Sequence, residues 1–215
     1  MEQGGCLSAF IDPGSVESHR YYLARRTTLE MLRDRGYDVP DADLDLSLQA
    51  FRSTYGQSPN LEHIRISLPL LSDSSKKILV IFCGTEVVKL AMVRNIFNQI
   101  ANSQNLNRLI LILQNKITAQ ARQALAICRV KTETFQITDL LVNIMKHFLM
   151  PKHELLNLEE KEKLLKKYSV GENQIPRMLE TDAVARYYGL EKGQVVKVTS
   201  DDDVAESHAT YRCVT

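Results

Sequence analysis

Few residues in this 215-residue sequence stand where they could do chemistry. Gly84-Thr85 follows an apolar run and precedes a helical pattern, the position of a phosphate-binding loop. The further glycines of a dinucleotide fingerprint and the Gly-Lys-Ser/Thr of a P-loop are both missing. The pair therefore reads as a plain strand-to-helix turn with Thr85 as the N-cap. His147 and His153, with the distant Cys213, suggest zinc ligands, but structural zinc sites use closely spaced Cys/His pairs. Satisfied or surface histidines are the simpler reading. Arg20, Arg25, Arg26, Arg33 and Arg35 suggest a cationic stripe, but they mix with Glu30 and Asp34 and spread round their helix. Residues 174–214 hold no nucleophile–base pair, ligand cluster or phosphate loop. Such a segment is expected to be held by another protein rather than to turn over a substrate.

The elements that carry these residues follow from local signals. Residues 1–17 contain Gly4-Gly5 and Pro13-Gly14 without periodicity and read as a flexible leader. A helix is expected over residues 18–35, with Tyr22, Leu29 and Leu32 on its inner face and Gly36 stopping it. A helical turn follows at residues 40–43. Ser47 caps a short helix through Phe51 and Tyr55 that ends at Gly56. A strand is expected over residues 63–70. Residues 76–83 form an apolar, β-branched run, and residues 86–103 have helical spacing through Val87, Leu90, Val93, Ile96 and Ile100. A buried strand at 109–113, a helix from Thr118 to Ile127 and a strand at 130–137 complete an α/β pattern. Strand–helix–strand–helix–strand at these lengths implies a mostly parallel sheet with right-handed crossovers. Asn157 and Glu160 form a capping-box start for the helix at 158–168. Asp182 is the expected N-cap of a short helix carrying Val184, Arg186, Tyr187 and Tyr188, with Gly189 at its left-handed end. Residues 194–199 and 208–214 read as a hairpin. The expected core of this last part is Leu155, Leu164, Leu165, Tyr168, Ile175, Val184, Tyr187, Val195, Val198, Tyr211 and Val214.

Composition narrows the class. Hydrophobic residues make up 44% of the chain and charged residues 25%, ordinary for a globular protein. The net charge of +1 does not announce a nucleic-acid binder. No apolar run approaches the ~20 residues that span a membrane, and no signal-peptide pattern opens the sequence. Cys6, Cys83, Cys128 and Cys213 are scattered; the last three stand in apolar element-like contexts where cysteine is a small buried hydrophobe. A reducing compartment fits them.

The residues at Pro176, Arg177, Asp182, Val184, Ala185, Tyr187, Gly189, Leu190, Gly193, Val195, Val196, Lys197, Tyr211 and Arg212 carry a specific pattern. It resembles the C-terminal assembly domain of the fifth subunit of eukaryotic nuclear RNA polymerases, the part shared with the archaeal H subunit. The match extends through Val142-Asn143-Ile144, His147, Pro151-Lys152-His153 and the run ending at Tyr168. It reaches Asp34-Arg35-Gly36-Tyr37 and Gln114-Asn115-x-Ile117-Thr118 in the first half. The long leader, the Ser18–Tyr22 entry and the ending most resemble the paralogue of plant RNA polymerase V, which makes scaffold transcripts for RNA-directed DNA methylation and gene silencing.

The resemblance implies a non-catalytic nuclear subunit with no cofactor, metal, small-molecule substrate or membrane. Its fold would be α/β plus α+β. The N-terminal jaw domain, residues 18–141, would be three-layered and restriction-endonuclease-like. The C-terminal α+β assembly domain, residues 142–215, would anchor to the largest subunit. Expected interface residues are Pro176, Arg177, Arg186, Tyr187, Tyr188, Gly189 and Arg212, since Tyr and Arg dominate binding hot spots. Asn115, Lys116, Ile117 and Thr118 map to the family loop that faces downstream duplex DNA. Physically that is a weak phosphate contact made by a helix N-terminus, one Lys and one hydroxyl. The family's usual Pro-Ser-Ala after this Thr is Ala119-Gln120-Ala121 here, and its helix-start Pro is Ala183. Its basic hairpin tip is replaced by an acidic one carrying Asp201, Asp202, Asp203 and Glu206.

Alternatives are the form shared by RNA polymerases I, II and III, a free-standing adaptor, and a diverged nuclease. A nuclease of this fold needs acidic metal ligands beside a Glu-x-Lys strand. The only nearby Glu-x-Lys, Glu159–Lys161, falls on an exposed helix, and Glu133 has no such lysine.

Overall fold

The computed structural model describes residues 14–100, 105–200 and 208–215. The chain divides after Val142 into two compact units.

The N-terminal unit opens with helix α1 (Val16–Asp34), α2 (Asp41–Leu44) and α3 (Leu48–Tyr55). Strand β1 (Ile66–Leu70) pairs antiparallel with β2 (Asp73–Phe82). Helix α4 (Leu90–Ile100) leads to β3 (Leu106–Leu113), and α5 (Ala119–Ala126) leads to β4 (Lys131–Gln136). The sheet order is β1-β2-β3-β4, with β2, β3 and β4 parallel. The organising strand is β3. Its last five residues are apolar and buried, so both of its faces must be covered. Leu109, Leu111 and Leu113 pack with Val93 and Ile96 of α4 and with Ala121 and Leu125 of α5. Ile110 and Ile112 alternate to the other face. Phe82 stands on that face too, and its ring meets Tyr21 of α1 edge-on at 6.1 Å.

Local chemistry sets the element ends. Ser47 and Thr118 accept from Ala50 and Ala121 backbone N–H groups, as the sequence leads one to expect. Four expectations fail for identifiable reasons. The first helix starts at Val16 because Ser15 caps it, accepting from Ser18 N, so residues 14–17 are not leader; residues 1–13 lie outside the described residues. Its inner tyrosine is Tyr21, 1% exposed, rather than Tyr22. Strand β1 starts at Ile66, not at residue 63, because Asn60 closes a turn: its side chain accepts from Glu62 N and its carbonyl from His63 N. Helix α4 starts at Leu90, not at residue 86, because Val88 is drawn into a parallel bridge with Ile117, and Thr85 therefore does not stand at its N-cap. The expected end of that helix at residue 103 lies outside the described residues.

The C-terminal unit contains β5 (Lys152–Leu155), α6 (Leu158–Tyr168), β6 (Arg177–Met178), α7 (Ala183–Tyr188), β7 (Val195–Ser200) and β8 (His208–Val214). Its sheet order is β5-β7-β8-β6, antiparallel except for the β6/β8 pair. Alternation along β7 and β8 divides the core in two. Val196, Val198 and Val214 pack with Val184 and Ala185 of α7. Val195 and Cys213 pack with Leu164 of α6 and Ile175. The capping box is present, with Asn157 Oδ1 accepting from Glu160 N at 2.8 Å and Glu160 Oε2 accepting from Asn157 N at 2.9 Å. Asp182 caps α7, and Gly189 takes the left-handed φ of 63° that ends it. Two residues expected in this core lie outside it: Leu155 is 50% exposed and Tyr168 55%. Met178, Ala185, Leu190, Val196 and Cys213 complete the core instead. Cys128 is half-buried, whereas Cys83 and Cys213 are buried as expected.

Because each half of its core closes within the unit, residues 142–215 expressed alone are expected to unfold cooperatively in urea. The slope should be about 1 kcal/mol per molar, low because small domains bury less surface. A gradual, non-cooperative trace would contradict an independent unit.

Candidate functional site

The loop after β3 is tied down residue by residue. Gln114 Nε2 donates to the Tyr21 hydroxyl, and Arg20 Nη1 lies 3.5 Å from Gln114 Oε1. Asn115 Nδ2 donates to the Thr85 carbonyl at 3.0 Å, while its Oδ1 accepts from Lys116 N at 2.7 Å. Val88 N donates to the Lys116 carbonyl and Thr118 N to the Val88 carbonyl, each at 3.1 Å. Thr118 then caps α5. Asn115 and Lys116 remain exposed at the carboxyl end of the parallel strands. The loop therefore needs no proline to be held, because the neighbouring connection, residues 84–89, is bonded to its backbone.

The other candidates are dispersed. Arg25 pairs with Asp43 at 3.0 Å, Arg26 with Glu30 at 3.5 Å and Arg35 with Glu133 at 2.8 Å, so no continuous cationic stripe forms on α1. His147 Nδ1 accepts from Leu149 N, and His153 Nδ1 lies 2.7 Å from the Pro151 carbonyl. Among the described residues, no group of three or more His, Cys, Asp or Glu could hold a metal. Glu159–Lys161 lies on α6, in the C-terminal unit and not on the parallel sheet, and Lys161 donates to the Gly193 carbonyl and pairs with Glu172.

The expected interface residues do not gather on one face. Pro176 and Arg177 are exposed at the β6 edge, where Arg177 pairs with Cys213. Arg212, the next residue along β8, alternates to the α7 face. Tyr187 is buried and its hydroxyl accepts from Asn143 Nδ2 at 3.2 Å, so it serves the core. Tyr188 is half-buried, its ring 5.2 Å from Tyr187, and Arg186 and Gly189 are half-buried beside it. Asp201, Asp202, Asp203 and Glu206 lie outside the described residues. Sequence reasoning missed a groove of about 610 Å³ along Leu155, Leu156 and Leu158, next to Gly193-Gln194. Its signal was available: of two successive leucines between a strand and a capping box, only one can face inward.

A family model for the RNA polymerase Rpb5 C-terminal domain matches residues 142–214, and one for the Rpb5 N-terminal domain matches residues 15–100. The chain belongs to the RNA polymerase Rpb5 family. It is 56% identical over 204 residues to "DNA-directed RNA polymerases IV and V subunit 5B" of Arabidopsis thaliana, covering 95% of this chain and 94% of the relative. It is 53% identical over 209 residues to "DNA-directed RNA polymerase V subunit 5A" of the same plant, covering 97% and 94%. To "DNA-directed RNA polymerases I, II, and III subunit RPABC1" of Caenorhabditis elegans it is 34% identical over 206 residues, covering 93% and 97%.

In this Rpb5-family chain, the acid that could have suggested a nuclease is structural. Glu133 receives a two-pronged contact from Arg35, at 2.8 and 3.2 Å, and a third bond from Arg108 at 3.0 Å. The Arg35 side chain is only 3% exposed and that of Glu133 15%. Burial pushes the Glu133 carboxyl up, but the two guanidiniums outweigh it and hold the group below its ordinary value of 4.5. A depressed folded pKa means the stabilisation is fully present above pH 4.5 and is lost as pH falls through the lower folded value. Glu133→Ala leaves two guanidiniums without their acid and should cost about 3 kcal/mol at pH 7. In urea unfolding, the gap from wild type should close progressively below pH 4.5. A gap under ~1 kcal/mol, as for exposed pairs, or one independent of pH, would contradict the buried clamp.

Proposed function

We propose that this chain is a non-catalytic subunit of a plant multisubunit DNA-directed RNA polymerase, of the polymerase V or IV kind. In this reading it acts in the nucleus, in transcription that serves RNA-directed DNA methylation and gene silencing. The observation that carries the proposal is the identity gap over nearly whole chains. Relatives named for polymerases IV and V are 56% and 53% identical, whereas one named for polymerases I, II and III is 34% identical. The shared-subunit form is the second reading. An acidic tip where the common family form is basic also favours a specialised partner, since like charges across an interface are penalised.

Within the assembly, the N-terminal unit is assigned to the lower jaw beside downstream duplex DNA. A parallel sheet covered by helices on both faces suits a restriction-endonuclease-like jaw. The loop Asn115–Thr118 supports the DNA side of this reading: Asn115 and Lys116 are exposed, the backbone is bonded to the neighbouring connection, and one cation stands at a helix start. The C-terminal unit is assigned to the largest subunit. Its support is a set of exposed large apolar residues in that unit, including Phe148, Leu158 and Leu179.

Affinity purification of the tagged chain from plant cells, with mass spectrometry of what it retains, tests the assignment. The Arg177→Ala/Tyr188→Ala double variant is expected to retain about tenfold less of the largest subunit, the scale of a lost hot spot. Undiminished recovery, with the fold confirmed by circular dichroism, removes both residues from the interface.

A further inference from the structure

The arginines of α1 and its C-cap Arg35 are sorted by what they meet. Arg25, Arg26 and Arg35 are held by carboxylates, and Arg33 is exposed near the far end of the helix. Arg20 is exposed at the helix entry, and among the described residues it forms no ion pair; its Nη1 meets the neutral Oε1 of Gln114 at 3.5 Å. The orientation of that amide is fixed by elimination. A guanidinium only donates, so the Gln114 oxygen must face Arg20. The amide nitrogen then turns to the Tyr21 hydroxyl and donates to it. Burial, with Glu17 nearby, pushes that hydroxyl up to about 12, so it stays neutral at physiological pH. Gln114 thereby links α1 to the loop without cancelling the charge of Arg20. Lys116 is two residues further on, at most ~7 Å of extended chain.

We infer that Gln114 is a positioning residue that holds Arg20 beside Lys116, so that this end of the sheet offers two cations to neighbouring phosphates of one duplex DNA strand. The inference rests on the DNA-facing reading of residues 115–118. It also explains why an amide suits position 114: a carboxylate there would capture the guanidinium, and a shorter side chain would release it.

The test is binding of the full chain to a labelled duplex of arbitrary sequence, titrated over a range of salt concentrations. Two phosphate contacts give a log–log slope of about −2. Arg20→Ala and Lys116→Ala should each bring it to about −1. Gln114→Glu should do the same with both cations still present, an effect that loss of packing alone would not produce. Circular dichroism melts confirm that each variant is folded. A slope that falls for Lys116→Ala but stays unchanged for Arg20→Ala and Gln114→Glu overturns the role of Gln114 and leaves the loop reading standing. Absence of salt-dependent binding by the wild-type chain overturns both.

Discussion

Strand β3 is buried on both faces, and the N-terminal unit is arranged to satisfy that demand. Five consecutive apolar residues cannot be shielded by one layer, so α4 and α5 cover one side while α1 meets the other. Parallel strands return the chain to the same end after each crossover, which sets the two connecting loops side by side. Their backbones bond through Val88, Lys116 and Thr118. The same layering carries Tyr21 and Arg20 of α1 to Gln114, and at the helix's other end carries Arg35 to Glu133. Packing on one strand thus places the exposed loop, its cations and the ion-pair clamp.

The C-terminal unit meets the same problem with a smaller sheet. Each strand of the β7/β8 hairpin gives alternate residues to two small cores, one under α7 and one under α6. Two short helices cannot cover everything, and apolar surface is left around Leu155 and Leu158, the latter 80% exposed. Exposed apolar surface of this kind is characteristic of places where a partner is held.

Signals confined to a few residues were legible in the sequence. Ser47, Thr118, Asn157 and Asp182 cap helices where their types require, and Gly189 ends one. The parallel pattern and the hairpin followed from period and length. What failed depended on distant partners. The start of α4 is displaced because Val88 pairs with Ile117, about 30 residues away, and local helical spacing cannot report that. The arginines of α1 resemble a stripe until Asp43 and Glu133 arrive from other elements. Tyr21 and Tyr22 are equivalent by type, and only the position of Phe82 decides which is inner. Only family resemblance singles out the loop at 115–118, whereas its link to Arg20 through Gln114 emerges only from the folded chain.

In the function proposed above, this chain works as a bound part of a polymerase rather than alone. Size fractionation of a gentle plant nuclear extract, with quantification of this chain and of each polymerase largest subunit across the fractions, tests it most directly. Most of the chain is expected to elute with a multisubunit complex containing the largest subunit of polymerase V or IV. A chain found mainly at the size of its free 24.4 kDa form, with no polymerase largest subunit sharing its profile, would contradict it.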